Sequence, residues 1–226
     1  MVLLVGATAN LAMAGEVRGQ IKFDGSFGEP PERTQGFVPR IANPIRPVQP
    51  FDPTPYLVVV LEGGPDDDEA KNSSSSRVEY GLLGESFEVP LLAVSVGTEV
   101  RIRNLGPRKV VLSAPDFPDL VDQAALDPRQ TTAFKVAKAS EVIVVGAPAR
   151  PHPEGRIVGF ASRYFAMVDT RGRFAIDKVP EGTWKVRLWY RDGWVKGVED
   201  SVTVSRRGGE VTLRVAPNQL AKSRNN

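Results

Sequence analysis

The chain contains no cysteine and a single histidine, His152. The first absence excludes disulfides, thiolate nucleophiles, iron–sulfur clusters and every zinc or blue-copper centre that needs a thiolate. The second excludes a multi-histidine metal site and removes the basis for a His-dependent catalytic triad. A dominant charge is lacking too. The 29 Lys and Arg against 27 Asp and Glu leave +2, which supplies no general attraction for nucleic acid. No run reaches the ~18 apolar residues of a membrane span. His-Glu-x-x-His, phosphate-loop and Gly-x-Ser-x-Gly patterns are absent as well.

What is present is glycine and proline, 21 and 19 of 226 residues, with a hydrophobic content of 41% that can build a core. Helical periodicity is confined to Leu120–Leu126, enough for a turn or two. Strand signals recur between Gly, Pro and Asp turns. Val17–Phe23 alternates and turns at Asp24-Gly25. Tyr56–Leu61 is a continuous apolar run, read as a strand covered on both faces. Further strands are expected at Glu99–Arg103, Lys109–Leu112, Thr131–Val136, Glu141–Val145 and Arg156–Phe160. The pattern continues at Phe165–Val168, Arg173–Ile176, Thr183–Tyr190, Glu199–Val204 and Glu210–Val215. Strands at such short spacing predict an all-β chain of two sandwiches.

The ends and two inner segments depart from this rhythm. Residues 1–14 are uncharged and close on Ala12-Met13-Ala14, which reads as a secretory leader cleaved before Gly15. Residues 26–55 hold eight prolines and read as an extended arm outside any interior strand. Residues 63–76 form an acidic, then serine-rich loop. Its Asp66–Glu69 cluster lacks the spacing of a calcium loop and reads as solvated. Residues 217–226 read as a basic tail.

The stretch YFAMVDTRGRFAIDKVPEGTWKVRLWY (164–190) has a distinctive layout. An Asp–Gly turn precedes Phe174, and Val179-Pro180-Glu181-Gly182 leads into a long strand. With Gly15–Ile21 as opening strand, it resembles the carboxypeptidase regulatory-like, transthyretin-like β-sandwich. Residues 87–160 are similar to the cupredoxin-like region of methylamine-utilisation-type secreted proteins. Val96-Gly97-Thr98-Glu99-Val100 and Asn104 resemble its approach to copper.

The two resemblances imply an all-β fold in which a cupredoxin-like sandwich (77–162) is coupled to a transthyretin-like one (15–62 and 163–216). The sandwiches are either sequential or nested; nesting is preferred because Thr183–Val215 needs partner strands. The resemblance also implies a copper site, but the expected ligands are missing. No histidine follows Asn104, and Gly146–Gly159 offers only His152. No cofactor is therefore expected. Nor is peptidase activity implied, since in that family the catalytic zinc domain is a separate fold.

No convincing active site emerges. Asp116, Asp119 and Asp122 are spaced for capping a short helix rather than flanking a cleft. The strand Trp184–Arg191 offers a candidate binding surface. Period two places Trp184, Val186, Leu188 and Tyr190 inward, and Arg187, Trp189 and Arg191 on the other face, with Trp194 just beyond. That face either stacks on a sugar or anchors a protein, or it packs between the sandwiches with its arginines paired. The arm carries candidate partner anchors at Phe27, Phe37, Ile41, Ile45, Val48 and Phe51, which an inert linker would not need. The expected function is a non-catalytic structural or protein-interaction component, exported to a Gram-negative periplasm or cell exterior. Its partners are an envelope protein or a second copy, with a glycan as the alternative and no nucleic acid.

Overall fold

The computed structural model describes residues 14–25, 52–65, 76–84, 86–121, 124–147 and 150–222. The leader, most of the arm and the acidic loop fall outside these residues, including all six candidate arm anchors.

Seven strands come from the two ends of the described chain and build one sandwich. One of its sheets runs in the order β13 (Arg173–Pro180), β1 (Ala14–Phe23), β16 (Gly209–Val215). The other runs β12 (Phe165–Met167), β2 (Leu57–Glu62), β14 (Gly182–Tyr190), β15 (Gly193–Val204). Strand β1 pairs antiparallel with β13 and parallel with β16, Val17 lying opposite both Ile176 and Gly209. Alternation explains the core between these sheets. Val17 and Ile21 of β1, Trp184, Val186 and Leu188 of β14, and Val211 and Leu213 of β16 all face inward and are buried.

The residues between β2 and β12 form a second sandwich. Its sheets are β4 (Ser86–Phe87), β3 (Arg77–Leu83), β6 (Glu99–Asn104), β9 (Thr131–Lys135), and β10 (Val142–Ala147), β11 (Arg150–Phe160), β5 (Leu91–Ser95). A ribbon of β7 (Val110–Leu112) and β8 (Ala124–Leu126) closes one side. Val100 and Ile102 point in while Glu99, Arg101 and Arg103 point out, as the alternation predicts. The middle sandwich is thus nested inside the end sandwich, because β1 and β2 take all their ladder partners from β12–β16.

Strand β2 joins the two bodies. Leu57, Val59 and Leu61 enter the end core, whereas Val58 and Val60 enter a second apolar cluster with Trp189, Leu91, Val158 and Phe160. That cluster lies between the sheet faces of β2–β14 and β5–β11, and every one of its six residues is buried. The run of five buried residues Leu57–Leu61 follows from being covered on both sides.

Several expectations need correction. The described residues of Leu120–Leu126 form no helix: Phe117–Val121 makes turns, and Ala124–Leu126 pairs with β7. The Pro151-His152-Pro153 segment lies within strand β11. The tail is not all solvated. Pro217–Lys222 forms a helical turn, and Leu220 is buried in the end core. Strands β3, β4 and β5 were not expected, and β15 begins six residues earlier than Glu199, at Gly193.

Candidate functional site

Trp189 does not lie on a surface. It is 1% exposed and packs edge-on against Phe160 and Trp194, with ring centroids 5.6 and 5.2 Å away. Phe160 also meets Phe165 at 5.5 Å. A tryptophan facing outward from its own sheet is covered here by the neighbouring sandwich. Its indole N–H donates to the Arg191 carbonyl at 3.0 Å, so burial leaves no polar group unsatisfied. A sugar has no access to this ring.

The flanking residues pair around the same junction. The Arg187 guanidinium stacks 3.8 Å from the half-buried Trp194 ring and bonds Glu62 at 3.0 Å. Glu199 lies 3.5 Å from Arg187 and 2.8 Å from Lys185. The Lys185 hydrogen bond holds the Glu199 carboxyl below the usual carboxylate range. Arg191 lies over the Tyr56 ring at 5.0 Å and takes a left-handed backbone, φ 51°. The four residues expected to form a binding surface therefore come together, but the two tryptophans pack into a seam between the bodies and the two arginines stack on rings of the end sandwich beside it.

Four further residues complete that seam. Arg156 of β11, 11% exposed, reaches Asp192 of the β14–β15 turn at 2.9 Å and Glu154 at 2.5 Å. Trp194 donates to the Ser140 hydroxyl at 3.2 Å. Neither contact between the bodies has a sequence signature, since Arg156–Asp192 and Trp194–Ser140 join residues 36 and 54 positions apart.

The positions where copper ligands would stand do other work. Asn104 is fully buried, and its amide donates to the Arg108 and Leu126 carbonyls at 2.7 and 3.0 Å. Its side-chain oxygen accepts the Gly106 N–H at 2.9 Å, so all of residues 104–108 are fastened to one side chain. Downstream, Val142–Ala147 and Arg150–Phe160 zip into a hairpin. With one histidine and no thiol in the chain, this donor set does not fit a blue-copper ion. Among the described residues no group of three or more His, Cys, Asp or Glu could hold a metal.

A hollow of about 380 Å³ is lined by Glu16, Arg18, Arg207, Gly208, Gly209 and Glu210. It lacks the apolar walls that small-molecule sites use to bury a ligand. Asp116 and Asp119 sit on exposed turns, and Asp122 lies outside the described residues.

A family model described as polysaccharide lyase family 4, domain II, matches residues 140–213. That stretch begins before β10 and ends in β16, so it takes in parts of both sandwiches. Solved structures similar to the chain include a reduced amicyanin variant at 17% identity, covering 40% of this chain and 88% of that one, TM-score 0.31. A Cu(I) amicyanin variant matches at 16% identity over 45% and 97% of the two chains, also with TM-score 0.31. No curated protein matches the chain.

Proposed function

We propose that the chain is a non-catalytic structural or interaction component of a bacterial envelope or extracellular assembly, in which two sandwiches act as one rigid body. The observation that carries this reading is the junction. Of the residues whose types suggest binding, Trp189 and Trp194 are spent on holding one body to the other, and Arg187 and Arg191 stack on Trp194 and Tyr56 of the end sandwich behind them. Export is proposed from the uncharged, Ala-x-Ala-terminated start of the sequence. Crosslinking in the native envelope, followed by pull-down with the full chain, tests this. The partner should be captured by the intact protein and lost when a Gly-Ser bridge replaces residues 28–53. Turnover of a polysaccharide or ester by the purified chain would overturn the reading.

A second reading, contact with a carbohydrate, is favoured by the family model over residues 140–213. With Trp189 buried, such contact would need a surface other than the one expected from the sequence.

A further inference from the structure

From Arg18 to Lys22 the outer face of sheet β13–β1–β16 carries no apolar side chain larger than Ala175, and Arg18, Gln20, Lys22, Arg173, Thr212 and Arg214 are all exposed on it. Its two ends differ in charge. At one end Arg18 bonds Glu16 at 2.7 Å and also feels Asp177 and Glu210, so the cation is answered several times over. At the other end the parallel register sets Lys22 directly opposite Arg214. Neither has an ion-pair partner among the described residues. Like charges placed opposite each other destabilise a sheet unless an anion sits between them.

The adjoining turn adds to that end. Ile21 N–H donates to the Gly172 carbonyl at 2.7 Å, and Gly172 has φ 76°. A Cβ there would come 2.6 Å from the Ile21 oxygen, so the approach requires glycine. The clamp brings Arg171 and Arg173 to β1 beside Lys22. Asp169 is the carboxylate of this turn, and it is already engaged. It accepts the Arg171 and Arg173 N–H groups at 2.9 and 2.7 Å and pairs with the Arg173 side chain at 3.1 Å. Asp24, in the turn after Lys22, is the other acid nearby.

We infer that this end of the sheet binds an acidic polysaccharide. Three strands about 4.8 Å apart make an open band, suited to an extended polymer rather than a pocketed small molecule. Gln20 and Thr212 form the next outward-facing pair beside Lys22 and Arg214 and offer hydrogen bonds to sugar hydroxyls. The absence of aromatic rings on the band disfavours single-stranded nucleic acid, which is held by stacking, and a protein hot spot, which is built on aromatic anchors. The inference rests on the reading of the chain as a non-catalytic binding component and supplies the ligand class.

Affinity electrophoresis in gels containing alginate, its propylene glycol ester or double-stranded DNA tests it. Alginate should retard the full chain, and the esterified polymer, which keeps the backbone and loses the charge, should not. Lys22→Gln combined with Arg214→Gln should weaken retardation about tenfold, as expected for two exposed charge contacts. Arg18→Gln, at the self-neutralised end, should leave it unchanged. The double variant removes a like-charge pair, so its melting temperature should not fall; Lys22→Glu in the wild-type background gives a second reading of the same contact. Equal retardation by the ester, retention by DNA as strong as by alginate, or indifference to both Lys22 variants would overturn the inference. A chain that ignores alginate yet still captures its envelope partner loses this inference alone.

Discussion

Asn104 and Tyr80 do at single positions what ligands and cofactors do in other β proteins: they fix loops. Replacing Asn104 by Ala strands the Arg108 and Leu126 carbonyls and the Gly106 N–H. The expected cost is on the order of 3 kcal/mol, read as a lower urea midpoint with an unchanged slope. Tyr80 is buried, stacks on Phe87 at 4.5 Å and donates its hydroxyl to the Val89 carbonyl at 2.7 Å. Burial pushes its phenol pKa up, so the folded state favours the neutral ring. Stability from this group is complete below pH ~10, the ordinary phenol value, and declines as pH rises past it. Urea midpoints between pH 8 and 11 should fall at the alkaline end, and Tyr80→Phe should flatten that fall while costing about 1 kcal/mol at pH 7. Sequence pattern marked Asn104 through its resemblance to a ligand approach. It could not show that the side chain is a fastener, because one of its partners, Leu126, lies 22 residues away in β8.

At the scale of elements, alternation was a reliable guide wherever one face meets a core and the other meets water. Val17–Phe23 and Glu99–Arg103 follow it residue by residue. It fails where both faces are covered or where glycine interrupts the period. Arg77–Leu83 ends in Gly81-Leu82-Leu83, and Leu91–Ser95 lies in an apolar run with no alternation to read. Trp189 marks the same limit from the other side: period two assigns it to the outward face of β14, but only the neighbouring sheet decides whether that face is wet. The closing helical turn Pro217–Lys222 was missed because six residues are too few for a periodic signal. Its role is nonetheless plain. Leu220 is 3% exposed in the end core, and Gln219 donates to the Lys196 carbonyl of β15 at 3.4 Å. Leu220→Ala should cost about 2–5 kcal/mol in thermal or urea unfolding, and Gln219→Ala much less. A small effect of the leucine change would show that the helical turn merely rests on the sandwich.

For the whole molecule, the seam decides whether two sandwiches behave as one. Trp189, Phe160, Val58 and Val158 provide its apolar centre, and Arg156–Asp192 and Trp194–Ser140 border it. Calorimetry of the full chain should show one cooperative transition. Trp189→Ala, expected to cost about 3–5 kcal/mol, should split it into two, with the middle sandwich melting separately. A single transition in that variant would mean that the two linking segments, not the packed rings, couple the bodies. The nesting also fixes an order of events during synthesis. Val17 pairs with Gly209, nearly the whole length of the chain away, so β1 and β2 leave the ribosome long before their partner strands exist. The middle sandwich, whose strands are all contiguous in sequence, can close while they wait, and the end sandwich must close last around it. Until then β2, apolar on both faces, has neither sheet to lie in, which makes Leu57–Leu61 the stretch of this chain most in need of a chaperone.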